Sequence, residues 1–181
     1  IDNVHSALAI NVTEAGVSHV GGVVGSSRGG SIISNCTFSG AIAITSGSTD
    51  CFAGIVGYLG GDNVLNCVNY GNITFSDPSC AIGGIVAYLN NTTSNIKGCM
   101  NMGKIVCDAV EETPKYGSAI VGRLKNYDKA KVIGNCWLKG SAYGAGLNDN
   151  GGDDLSSALC FTDDMFATGE VCYELNGDQT T

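Results

Sequence analysis

Residues 53–75, Ala-Gly-Ile-Val-Gly-Tyr-Leu-Gly-Gly-Asp-Asn-Val-Leu-Asn-Cys-Val-Asn-Tyr-Gly-Asn-Ile-Thr-Phe, recur along the chain in altered copies. That recurrence limits the possible folds more than any other property of the sequence. Gly22-Val23-Val24-Gly25, Gly54-Ile55-Val56-Gly57, Gly84-Ile85-Val86-Ala87 and Ala119-Ile120-Val121-Gly122 form one element. Ile33-Ser34-Asn35-Cys36, Val64-Leu65-Asn66-Cys67, Ile96-Lys97-Gly98-Cys99 and Ile133-Gly134-Asn135-Cys136 form a second. A glycine follows each of these cysteines at a fixed distance (Gly40, Gly71, Gly103, Gly140), and Ile42, Ile73, Ile105 or Ala142 comes two residues later. Ile1-Asp2-Asn3-Val4, with Ile10 beyond it, is a first partial copy. A period of roughly 31 residues marks a stack of supersecondary units, each too small to bury its own apolar face.

Each copy is a set of short β-branched runs separated by Gly, Asn, Ser and Asp, the chemistry of strands and turns. No stretch of helical length keeps an apolar spacing of about 3.6 residues. The expected fold is all-β: a parallel β-helix or β-solenoid of four to five coils with three short strands per coil. Residues 1–142 form the repeats, with second-element starts near 1, 33, 64, 96 and 133. The strands expected are the Gly-Ile-Val-Gly element, the run ending at Asn-Cys, and the run through the following Ile. The recurrent glycines are expected at turns of positive φ, and Asn35, Asn66 and Asn135 as a stacked amide ladder.

Nine cysteines need an account. Val4 occupies the position that Cys36, Cys67, Cys99 and Cys136 occupy in later copies, so the site is interior and apolar, where Cys behaves as a small hydrophobe. Side chains that point the same way on adjacent coils fit the disulfide dihedral poorly, and no C-x-x-C pair suggests zinc. A column of free thiols is expected.

Variation between copies falls at residues 26–30, 60–63, 90–95 and 125–131, and again at 46–50, 76–79 and 108–115. Insertions at fixed points of a repeat project from one edge, where binding surfaces are often built. Tyr58 and Tyr88 share one aligned position with Arg123, and Ser26 precedes them. They are a possible ligand surface, with a partly exposed ladder that stiffens the sheet as the alternative. After residue 142 the repeat decays. Residues 143–181 read as an irregular loop and a C-terminal cap of short helices. Thr162-Asp163-Asp164 is its N-cap, and Phe161, Phe166, Val171 and Leu175 pack on the last coil.

Candidate chemistry is sparse. His5 and His19 lack a carboxylate pairing in the sequence and read as surface or turn residues. The adjacent pairs Glu111-Glu112, Asp153-Asp154 and Asp163-Asp164 point to opposite faces if extended. No aligned column holds Asp or Glu, which argues against a β-helix lyase or hydrolase. No catalytic residue and no cofactor is assigned. Asp149, Asp153 and Asp154, in the oxygen-rich stretch 148–154, are weak calcium candidates without the ligand spacing of an EF-hand. Asn11, Asn35, Asn72 and Asn90 head glycosylation acceptor patterns by chance match. A net charge of −8 with no basic cluster disfavours nucleic acid, and no apolar run is long enough for membrane insertion.

With these residues in hand, Gly-Gly-Ile-Val-Gly followed by Ile-x-Asn-Cys-x-Asn-x-Gly-x-Ile resembles the GLUG-type repeats of secreted bacterial surface proteins. These include adhesin-like proteins of gut Bacteroidetes and the non-catalytic part of IgA1-specific metallopeptidases. Residues 167–177 also resemble a segment that follows such repeats. The resemblance implies an extracellular module on a bacterial cell surface, adhesive or structural; the start in mid-pattern at Ile1 is what a piece cut from a longer array is expected to show. Its partner would be a host or dietary glycan or a protein, bound through edge loops. It also implies an alternative, an accessory region of an IgA1-protease-like metallopeptidase. No zinc motif of that peptidase can be placed on this chain.

Overall fold

The computed structural model describes residues 1–14, 16, 19–45, 50–109, 116–148, 154, 155 and 158–176, with side chains up to Tyr173. Among them the chain winds into a parallel β-solenoid of about four turns with two short α-helices. A complete turn carries five short strands. In the turn that begins at His19 these are His19–Gly21, Val24–Arg28, Ile32–Ser34, Thr37–Phe38 and Ala41–Ile44. Each strand stacks on its counterpart in the next turn, giving five parallel sheets, numbered I to V in that order. The pairing is in register: Ile10, Ile42, Ile73 and Ile105 follow one another in sheet V, and Ile33, Val64, Ile96 and Val132 in sheet III.

In-register stacking turns sequence columns into core columns. Ile55, Ile85 and Ile120 are fully buried, as are Phe38, Phe52 and Phe75. Each such side chain contributes about 1.5–3 kcal/mol by leaving water. The column is open at the first turn: Val4 is 39% exposed, whereas Cys36 and Cys67 are at 0%. At the other end Leu155 is buried in the core and Ala158 packs against it. A methyl at Gly146 would come within 2.4 Å of the Leu155 side chain.

Five strands per turn replace the three read from the sequence. The first two residues of the Gly-Ile-Val-Gly element are a corner that leads from sheet I into sheet II, and its last two open the sheet II strand. A Cβ at Gly84 would stand 2.3 Å from the Ala119 carbonyl oxygen and 2.3 Å from Asn101 Oδ1. Glycine lets the corner pass so close to its neighbours at Gly22, Gly54 and Gly84, and Ala119 holds that place in the last turn. A second corner separates sheets III and IV at Asn35 and Asn66, both at φ 54°. Gly98 and Gly134 hold that place in later turns, at φ 63°. Asn tolerates the left-handed region better than most residues, which is why Asn and Gly interchange there.

Three other expectations change. Gly40, Gly71 and Gly103 are not at positive φ; of that set only Gly140 is, at 79°. They are needed for close stacking, since a Cβ at Gly103 would lie 2.0 Å from the Gly71 carbonyl oxygen. The amide ladder lies not at the corner asparagines but on buried Asn69 and Asn101. Asn69 Nδ2 donates to Asn101 Oδ1 (2.7 Å), and Asn101 Nδ2 donates to Ser141 Oγ (3.2 Å). Finally, Cys136 is not in the column of Cys36, Cys67 and Cys99. It pairs with Met100, placing Asn135 at the Cys99 level. There the Cys99 N–H donates to Asn135 Oδ1 (3.0 Å), and Asn135 Nδ2 donates to the Ile96 carbonyl (3.0 Å). Buried amide groups are thereby satisfied at a position that elsewhere holds a thiol.

All nine cysteines are free thiols. Cys36, Cys67 and Cys99 point into the core, and each Sγ–H donates to a main-chain carbonyl, of Ser34 (3.0 Å), Leu65 (3.3 Å) and Lys97 (3.4 Å) respectively. Burial pushes the Cys99 thiol well above the usual range and holds it protonated.

The helices are α1, Asp163–Thr168, and α2, Glu170–Asn176. Thr162 caps α1 by accepting from the Met165 N–H, and Gly169 at φ 83° ends it. The pair packs laterally. Phe161 and Val171 are fully buried against Met100 and Cys136, on the face of sheet IV opposite Trp137 and the main core. Phe166 is 45% exposed, with its ring 6.0 Å from that of Phe161. The side chain of Leu175 lies outside the described residues. The last turn is closed by Leu155 and Ala158, and the helices cover the flank of sheet IV.

Candidate functional site

Sheets I and II meet at a seam on the outside of the solenoid. Its floor is made of small residues: Cys51, Ala53, Ala81 and Ala87 form a buried cluster with Tyr116 and Leu147, and Tyr88 packs on it. The outer side of sheet II must be nearly bare there. A Cβ at Gly57 would stand 2.5 Å from the Gly25 oxygen and 2.8 Å from the Val20 nitrogen.

Above this floor the aligned sequence positions become a physical column. Ser26 pairs with Tyr58, Tyr58 with Tyr88, and Tyr88 with Arg123. The three residues singled out from the sequence are thus brought together, on consecutive strands. Tyr58 and Tyr88 meet edge to face, centroids 5.4 Å apart and planes at 83°. His19, from the preceding turn of sheet I, meets Tyr58 edge to face at 4.9 Å. The Arg28 guanidinium lies 4.5 Å from the Tyr58 centroid. That of Arg123 lies 5.0 Å from Tyr88 and 5.3 Å from Tyr116. Six side chains from the four turns therefore form one continuous stack. Each cation–π contact contributes about 0.5–1 kcal/mol when exposed and more when desolvated, so the seam also fastens sheet I to sheet II.

Three members escaped the sequence reading. His19 and Tyr116 share no recurring residue type with their column mates Cys51 and Ala81, so no periodic signal marks them. Arg28 enters through side-chain reach from a position two residues beyond Ser26. Composition offered one clue: Arg28 and Arg123 are the only arginines in the chain, and both lie on these rings. Burial, then the charge of Arg28, holds the His19 imidazole below its ordinary range, with Asp50 acting in the opposite sense. The imidazole is therefore neutral at pH 7.

Of the weak calcium candidates only Asp154 is among the described residues; Asp149 and Asp153 lie outside them. Asp154 Oδ2 accepts a short hydrogen bond from the Tyr127 hydroxyl, and Lys129 Nζ stands 3.6 Å from Asp154 Oδ1. The Tyr127 hydroxyl, then the Asn148 amide, hold the Asp154 carboxyl below its usual value. Burial, then Asp154, pushes the phenol up to about 12. This carboxylate tethers the end loop and lines a cleft of about 250 Å³ with Lys129, Val132, Gly134 and Asn135. Among the described residues no group of three or more His, Cys, Asp or Glu converges as metal ligands would, and no helix is long and apolar enough to cross a membrane.

The variable segments are described in part. Residues 46–49 and 110–115, including Glu111-Glu112, lie outside the described residues. Segment 90–95 is ordered by Asn91, whose Oδ1 accepts from the Thr93 N–H (2.6 Å), and by Asn126 Nδ2 donating to Asn90 Oδ1 (2.6 Å). Segment 125–131 holds a 3-10 turn at Lys129–Lys131 capped by Asp128. Both flank the end of sheet II that carries Tyr88 and Arg123.

No curated protein and no solved structure matches the chain. Residues 16–45 match the family model of the GLUG motif. That span covers the corner Gly22-Val23-Val24-Gly25, the left-handed Asn35, Cys36 and Ile42, the same features that later turns repeat. The chain therefore carries a GLUG-type repeat, wound as a turn of a parallel β-solenoid.

Proposed function

We propose that this chain is a non-catalytic extracellular module of a bacterial cell surface that binds a glycan or protein ligand through its outer seam and the neighbouring edge loops. The observation that carries the reading is the seam itself. Tyr58, Tyr88 and Arg123 vary against an otherwise regular scaffold, yet form one partly exposed aromatic and cationic stack with Arg28, His19 and Tyr116. Aromatic and arginine side chains are the types enriched where surfaces bind. The recurrent residues are all accounted for by burial, corners and close stacking, so they leave no surplus chemistry for recognition.

The test is binding of the purified chain to glycan and protein arrays, repeated with Tyr58→Ala, Tyr88→Ala and a variant trimmed at 90–95. A bound ligand should be lost on at least the two tyrosine variants while far-ultraviolet dichroism shows that both keep the β fold of the parent. Unchanged affinity in all three variants would overturn the reading.

A further inference from the structure

The aromatic seam runs into a corner of asparagines whose polar groups are only half used. The Tyr58 ring lies across Gly60: a Cβ there would stand 2.8 Å from Tyr58 Cε1 and 3.4 Å from its hydroxyl oxygen. The phenol is thereby turned toward the end of the sheet II strands. There, where the chain passes from sheet II into sheet III, two amide pairs link neighbouring turns. Asn126 Nδ2 donates to Asn90 Oδ1 (2.6 Å) at the ends of the sheet II strands. Asn95 Nδ2 donates to Asn63 Oδ1 (2.6 Å) at the starts of the sheet III strands. An amide side chain has two donor hydrogens on its nitrogen and one acceptor oxygen. Each pair bond joins one nitrogen to one oxygen, so it leaves the Nδ2 of one partner and the Oδ1 of the other. Asn90 Nδ2 and Asn126 Oδ1 are left in one pair, Asn63 Nδ2 and Asn95 Oδ1 in the other. None of these four atoms has a hydrogen bond among the described residues, and all four side chains are at least partly exposed. The pair bonds also fix the side chains in advance, which lowers the entropy cost of binding.

These groups point to an uncharged, hydroxyl-rich ligand. Three charged side chains around the corner are already engaged. Arg28 lies over the Tyr58 ring, Lys131 Nζ donates to the Thr92 carbonyl (2.8 Å), and Asp62 is fully buried, accepting from the Ser31 N–H. A chain of net charge −8 repels a polyanion and is indifferent to a neutral ligand. A hydroxyl both donates and accepts, so neighbouring hydroxyls of one sugar answer an Nδ2 and an Oδ1 together. A peptide would offer main-chain groups instead. The strands Val56–Gly60, Val86–Asn90, Asn63–Leu65 and Asn95–Lys97 are paired on both edges, which leaves a peptide no strand edge to extend. From Asn63 to Asn126 the free groups span two steps between turns, about 10 Å along the solenoid axis. That is longer than a single hexose.

We propose that this corner binds an uncharged oligosaccharide, read by the two amide pairs and the Tyr58 hydroxyl. This rests on the surface-binding reading above and gives it a ligand class. The experiment is calorimetric titration of the chain with cellohexaose, mannohexaose and maltohexaose, beside polygalacturonate. At least one neutral oligomer should bind, with polygalacturonate weaker by about tenfold or more and added salt leaving the neutral affinity unchanged. Asn90→Asp keeps the oxygen that accepts from Asn126 and removes the free N–H group. It should weaken binding about fivefold, as should Asn95→Ala and Asn126→Ala, while Asn11→Ala, on sheet V, should change nothing. Preference for polygalacturonate overturns the neutral class and leaves the surface-binding reading standing. Neutral binding that ignores all three corner variants overturns the site. Binding of none of the neutral oligomers overturns the inference as well, and the array result with the tyrosine variants then decides the broader reading separately.

Discussion

At the scale of single residues, two kinds of glycine look alike in the sequence and serve different ends. Gly103 must be glycine because the neighbouring turn's carbonyl is 2.0 Å from where its Cβ would be. Gly140 has open space around it and needs only a positive φ. Gly140→Ala should therefore cost about 1–2 kcal/mol, the ordinary penalty of the left-handed region. Gly103→Ala should cost distinctly more, because backbone has to move. Urea unfolding of the two variants measures the difference, and equal losses would show that stacking distance is not what fixes Gly103. The spacing of these residues was legible in the sequence, but the reason for them was not. Periodicity records that a position is constrained and is silent on whether φ or a neighbouring turn constrains it. The slip at Cys136 has the same origin. Ile133-Gly134-Asn135-Cys136 aligns by letter with Val64-Leu65-Asn66-Cys67, yet the left-handed corner falls on Gly134, and the backbone follows the corner.

At the scale of elements, the carboxyl-terminal helices test what holds a flanking piece to a solenoid. Capping and termination of α1 were readable in Thr162-Asp163-Asp164 and Gly169, because these are local hydrogen-bonding rules. The surface that receives the helices was not readable. It is made by Met100 and Cys136, residues on the outer side of sheet IV that no local pattern links to Phe161. Phe161→Ala should cost about 3–5 kcal/mol at that contact. The effect should be local: limited proteolysis should cut within 163–176 before it cuts the sheets, while far-ultraviolet dichroism keeps its β signal. Simultaneous loss of both would mean that helices and sheets unfold as one unit.

For the whole molecule, stability of a repeat stack is a sum over turns and the interfaces between them. The two ends are unequal. Leu155 and Ala158 close one end, while Val4 and Leu8 stay exposed at the other, Leu8 at 65%. Native-state hydrogen exchange of this chain should be fastest in Ala9–Val12 and His19–Gly21 and slowest in Ile73 and Ile105 of sheet V and in Val86–Asn90. Uniform protection from end to end would show that unfolding is all-or-none. The stack of turns could be read from the repeat period alone. The seam could be read only in part: strand pairing aligned Tyr58, Tyr88 and Arg123, but His19 comes from sheet I, Tyr116 from the residue before that sheet's last strand, and Arg28 reaches in from two residues beyond Ser26.

In-register stacking also separates two kinds of change open to such a chain. Segments 60–63, 90–95 and 125–131 differ in length, yet the strands that follow them stay in register, Val64 with Ile96 and Ile96 with Val132. What cannot change is the step from one turn to the next, which peptide hydrogen bonds set at about 4.8 Å. The seam is thus a ruler whose divisions are main-chain bonds: mutation can rewrite the mark at each division, as from Ser26 to Tyr58 to Arg123, and leave the scale untouched.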